Sequence, residues 1–106
     1  MKIFALIVIF SGWLVSSFAQ APMPLYPNNI PNSKPAPSTY HEGLNEWRCV
    51  TNVSIPTLTP FLLKDGSVHT AVLVIPGGGY SGVAMGHEGD SIACAFNKIG
   101  VNAFVL

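Results

Sequence analysis

Residues 70–106 constrain the fold more than any other part of the chain. Residues 70–75 (T-A-V-L-V-I) are a continuous apolar run of strand length. Their lack of alternation predicts a strand buried on both faces. Residues 76–89 hold six glycines and read as loop. From 90 to 99, Ile92, Phe96 and Ile99 recur at i, i+4 and i+7, the spacing of one buried helix face. Asp90 or Ser91 stands where a residue caps a helix start, and Gly100 stands where a glycine ends one. Residues 101–106 (V-N-A-F-V-L) form a second apolar strand. Strand, glycine loop, helix, strand is a βαβ unit with parallel strands, so the fold class is α/β. Two internal strands leave backbone groups unpaired at their outer edges. The expectation is therefore that these residues open a larger α/β domain.

Upstream, residues 47–55 alternate and are rich in β-branched side chains, which predicts a strand. Pro56 and Pro60 bracket Thr57, Leu58 and Thr59, predicting a short strand at a sheet edge. Lys64, Asp65 and Gly66 signal a turn. Residues 21–37 contain Pro22, Pro24, Pro27, Pro31, Pro35 and Pro37 among asparagines. Such a run is expected to be extended and exposed, and 20–46 read as a linker.

Residues 1–19 read as a secretory leader. Lys2 supplies the positive start, residues 3–10 the apolar centre, and Ser17-Phe18-Ala19 a small-residue cleavage site before Gln20. The expected protein is secreted or periplasmic and free of the membrane after cleavage. The domain organisation is then leader 1–19, linker 20–46 and α/β portion 47–106.

Composition excludes some functions. Only 9% of residues are charged, against about 25% in ordinary domains. The net formal charge is zero, so the clustered basic surface that binds nucleic acid is not expected. Cys49 and Cys94 have no metal-ligand spacing and read as free thiols. No metal or other cofactor is implied.

Chemistry concentrates in Pro76-Gly77-Gly78-Gly79-Tyr80-Ser81-Gly82. Consecutive glycines let backbone turn sharply and approach a ligand with N–H groups exposed. Gly77, Gly79 and Gly82 match G-x-G-x-x-G, but dinucleotide binding needs the helix to open directly from the glycines. A phosphate-binding Walker loop fails because no Lys-Ser or Lys-Thr follows. Ser81 resembles a nucleophile elbow only in part, since Val83 replaces the last glycine of G-x-S-x-G. The leading reading is an oxyanion loop, whose side-chain-free amides bind the negative oxygen formed in acyl transfer.

The succession V-T-N-V-S-I-P-T-L-T-P-F-L-L, A-V-L-V-I-P-G-G-G-Y-S-G, His87-Glu88-Gly89 and I-G-V-N-A-F-V-L resembles the N-terminal part of secreted bacterial α/β-hydrolase esterases. These are the group often labelled xylanase, acetyl xylan esterase or feruloyl-esterase-like. The resemblance implies an α/β-hydrolase fold, incomplete here. It also implies a serine carboxylesterase acting on acetyl or similar esters of plant polysaccharide. By position Gly78 and Gly79 would be the oxyanion amides and Gly77 the turn. Pro76 departs from the histidine that often opens such loops. The nucleophile, acid and base would lie beyond Leu106, and the chain alone is expected to be inactive. Tyr80 would line an acyl or sugar pocket or pack, and His87 and Glu88 would anchor the loop. His41 and His69 are expected to be solvated. The alternative functions are a small secreted binding module and a dinucleotide-binding fragment.

Overall fold

The computed structural model describes residues 19–106, so the leader lies outside the described residues except for Ala19. The described chain is mixed α/β, with two small sheets and one α-helix. Its strands are β1 (Met23–Pro24), β2 (Gly43–Leu44), β3 (Val50–Thr51), β4 (Thr57–Phe61), β5 (Ala71–Val74) and β6 (Asn102–Val105). The helix α1 spans Ser91–Lys98 and follows a wide turn, Met85–Asp90, wound with i→i+5 spacing. The main sheet has the order β1-β4-β6-β5, and β2 pairs with β3 separately.

β5 and β6 are parallel, from Ala71 opposite Asn102 to Val74 opposite Val105. The connection through α1 makes this the expected βαβ unit. The helix ends as its sequence demands. Gly100 has φ +80°, its N–H donates to Asn97 O, and Val101 N–H reaches back to Phe96 O. This pair of bonds at a left-handed glycine is the Schellman ending.

The helix face matches expectation only at Phe96, which is half-buried against the core. Ile92 and Ile99 are exposed, while Ala93 and Asn97 are the buried positions of α1. The small side chain of Ala93 lets the helix come close to the sheet, where it joins Phe61, Val74, Ala103 and Val105 in the buried core. Asn97 is accommodated because its Nδ2 donates to Phe61 O at 3.0 Å and Val101 O at 2.8 Å. The start also differs, for Asp90 makes no side-chain cap bond. The wide turn runs straight into α1, and Ser91 N–H and Oγ–H both donate to Gly86 O.

Among the described residues β5 is the outermost strand of the sheet. Its residues alternate, with Val74 buried and Ala71 and Leu73 exposed, and Val74 joins Ala93 of α1 in the buried core. β4 is five residues long and internal, between β1 and β6, although Pro60 falls within it. In an antiparallel strand a residue's N–H and C=O point to the same side. Pro60 O accepts from Gln20 N–H at 2.9 Å, so its missing donor faces the N-terminal segment and leaves the ladder to β6 intact.

The strand expected over 47–55 shrinks to Val50–Thr51. Arg48 and Asn52 flank it with φ of +57° each, and the Asn45 side chain folds the preceding backbone by accepting from the N–H groups of Trp47 and Cys49. The proline-rich residues are exposed as expected. They are not wholly free of the α/β portion, because Met23 and Pro24 pair with Leu58 and Thr57.

Candidate functional site

The glycine loop leaves the carboxyl end of β5 and is held at three places. Gly77 O accepts from Ala84 N–H at 2.8 Å, and Val83 exchanges two backbone bonds with Val50 at 2.7 and 2.8 Å. Gly77 N–H donates to Glu88 Oε2 at 2.7 Å, a charge-assisted bond of the stronger class. Between these ties the chain reverses over four residues. Ser81 N–H and Oγ–H both donate to Gly78 O, at 3.2 and 3.1 Å. The two central residues have left-handed backbone, Gly79 with φ +60° and Tyr80 with φ +63°. Glycine adopts that conformation freely, whereas tyrosine is strained in it.

Gly78 is glycine for a different reason. A Cβ built there would lie on the carbonyl of Gly82, so no other residue lets the turn close. The N–H groups of Gly78, Gly79 and Tyr80 donate to no acceptor among the described residues, and all three residues are exposed. They are the exposed unspent donors of the loop, and the half-buried Gly82 N–H is also without an acceptor among the described residues. An anionic oxygen brought there would meet them with no side chain in the way.

A 52-residue stretch, 49% of this chain, is 46% identical to endo-1,4-beta-xylanase B of Butyrivibrio fibrisolvens. The chain spans 8% of the length of that protein. No family model and no solved structure matches the chain.

The wide turn supports the loop from beneath. Gly86 and Gly89 are buried in it, and a Cβ on Gly89 would meet Val105 at 2.9 Å and Pro76 at 3.2 Å. Such turns recur at functional sites. Of the adjacent pair, Glu88 reaches Gly77, while the side chain of His87 is exposed and bonds to nothing among the described residues. Tyr80 is fully exposed and borders, with Ser81 and Gly82, a cavity of about 260 Å³ that Tyr40 and Val53 also line. The helix N-terminus is at Ser91, well after Gly82, so the glycines do not form a pyrophosphate cradle on a helix end.

His69 is not solvated as expected. Its Nε2 lies 2.8 and 2.9 Å from the two Asp65 carboxylate oxygens and its Nδ1 lies 3.0 Å from Gly100 O. The hydrogen bond with Asp65 raises the His69 pKa above its ordinary value, and the bond with His69 lowers that of Asp65. This clasp fastens the loop before β5 to the end of α1. His41 is exposed. Cys49 and Cys94 are free and half-buried. Among the described residues no three His, Cys, Asp or Glu side chains gather as a metal site, and no helix is long and apolar enough to cross a membrane.

Proposed function

We propose that this chain carries the oxyanion loop of a secreted serine carboxylesterase of α/β-hydrolase fold, acting on acetyl or similar esters of xylan. The observation that carries the reading is the set of unspent amides at Gly78 and Gly79, exposed at the carboxyl end of a strand in a parallel pair. Ligands of open α/β sheets bind at that end. The partial likeness to a xylanase supports the polysaccharide.

In this reading a serine hydroxyl supplied outside these residues attacks the ester carbonyl. The carbonyl oxygen becomes negative, and the N–H groups of Gly78 and Gly79 hold it. Each such donor contributes ~3–4 kcal/mol to the transition state. Glu88 holds Gly77 and so fixes the plane from which the two amides project. Ser81 is not the nucleophile, because its hydroxyl is spent on Gly78 O. No cofactor takes part. Export fits the leader pattern at residues 1–19.

The coding DNA after the Leu106 codon tests the proposal. An open frame encoding G-x-S-x-G, then Asp or Glu, then His is the expected result. An open frame without that succession, or a stop codon, overturns it.

A further inference from the structure

We infer that the proline-rich arm and residues 53–56 form a binding cleft for a neutral polysaccharide chain, and that this cleft leads the polymer to the glycine loop. The inference rests on the carbohydrate-ester reading above and adds the place where the polymer is gripped.

The cleft has a volume of about 1010 Å³, at the upper end for ligand sites. Tyr26 and Tyr40 line it as half-exposed rings, at 39% and 44%. Asn28, Asn29 and Lys34 also line it, and their side chains bond to nothing among the described residues. No carboxylate lines it, and Lys34 is its single charged group. A pyranose has apolar C–H faces and a rim of hydroxyls. Aromatic rings take the faces, and amides, each both donor and acceptor, take the hydroxyls. An anionic polymer would call for several cations, which the cleft lacks.

The arm holds this shape without a continuous ladder. Prolines fix its φ angles, Leu25 N–H donates to Pro56 O at 2.9 Å, and Asn52 Nδ2 donates to His41 O at 3.0 Å. A preformed cleft avoids the ordering cost of binding. Its position matters as much as its lining. Tyr40 and Val53 line both this cleft and the smaller cavity bordered by Tyr80, Ser81 and Gly82. A chain lying across Tyr26 and Tyr40 therefore runs on to the Tyr80–Gly82 side of the glycine turn, next in sequence to Gly78 and Gly79.

Electrophoresis of the full 106-residue chain through gels containing neutral xylan tests the cleft, with near-ultraviolet circular dichroism to check each variant's fold. The expected result is retardation of the unaltered chain, with Tyr26→Ala combined with Tyr40→Ala binding about tenfold more weakly. Tyr26→Phe, which keeps the ring, should retain binding. Passage of the unaltered chain without retardation overturns the inference, as does equal retardation of the double variant. Displacement by a proline-rich peptide but not by xylo-oligosaccharides also overturns it, by making the cleft a peptide groove. Retardation needs no ester cleavage, so binding by this chain alongside no acetate release from the protein expressed from the extended reading frame removes the esterase reading and leaves the cleft in place.

Discussion

Gly77 N–H and Glu88 Oε2 lie 2.7 Å apart, joining the first amide of the glycine loop to the wide turn that precedes α1. The bond satisfies the Gly77 donor and leaves the next two amides, Gly78 and Gly79, free among the described residues. Glu88 thus ties the loop, while the side chain of His87 beside it makes no hydrogen bond among the described residues. Replacing Glu88 by Ala should leave the fold intact and speed hydrogen exchange at the Gly77 amide by an order of magnitude or more. Amide exchange followed by NMR checks this, and unchanged exchange at Gly77 would count against the tie.

Two neighbouring glycines should respond differently to alanine. At Gly78 the new methyl meets the Gly82 backbone, whereas at Gly79 it meets open space but keeps φ +60°. The first should cost about 1–3 kcal/mol by overpacking and distort the turn. The second should cost roughly 1–2 kcal/mol from left-handed strain alone, leaving the turn in place. Tyr80→Gly should gain a similar amount, since Tyr80 already bears that strain at φ +63°. Urea titrations of the three variants give the comparison.

Asn97 is the buried polar residue that most repays substitution. Its amide serves Phe61 O and Val101 O together, so Asn97→Ala should destabilise by about 1–3 kcal/mol by leaving carbonyls without a donor. Asn97→Asp should be worse, because a carboxylate would then face the same oxygens. Denaturant midpoints check the order.

The clasp of His69 gives a pH dependence with a definite sign. Both ring nitrogens face acceptors, so the clasp needs the doubly protonated ring. A raised His pKa contributes stability fully below its unfolded value of ~6.5, and loses it as pH climbs through the folded value. The lowered Asp65 pKa contributes above ~3.9, and that part is lost as pH falls through its folded value. The stability difference between the unaltered chain and His69→Ala should therefore be greatest from about pH 4 to 6.5 and shrink on either side. Thermal melts across that range check it, and a difference that grows above neutrality contradicts it.

The βαβ unit was legible because its signals are local. Two apolar runs bracket a periodic segment, and Gly100 stands one place past its end. What misled was any signal that depends on a neighbour. Ile92 and Ile99 look like the buried face by hydropathy, yet Ala93 and Asn97 are buried, since close approach to β6 favours a small residue and an amide that can serve two carbonyls. Pro60 looks like an edge marker, but only the side its missing N–H faces decides that. Residues 47–55 have strand composition, and the left-handed backbone at Arg48 and Asn52 has no apolar pattern to announce it. In the site, the glycines were visible and the partners that hold them were not. Val50 bonding Val83 across the chain leaves no mark in either local sequence.

Acetate release from acetylated xylan tests the central proposal most directly, using the protein expressed from the reading frame extended past the Leu106 codon. The account expects release that stops when the serine of G-x-S-x-G is replaced, and a fall in kcat of about 100-fold or more in a Gly78→Ala variant that still folds. No release from the folded protein, or release indifferent to Gly78, would contradict it.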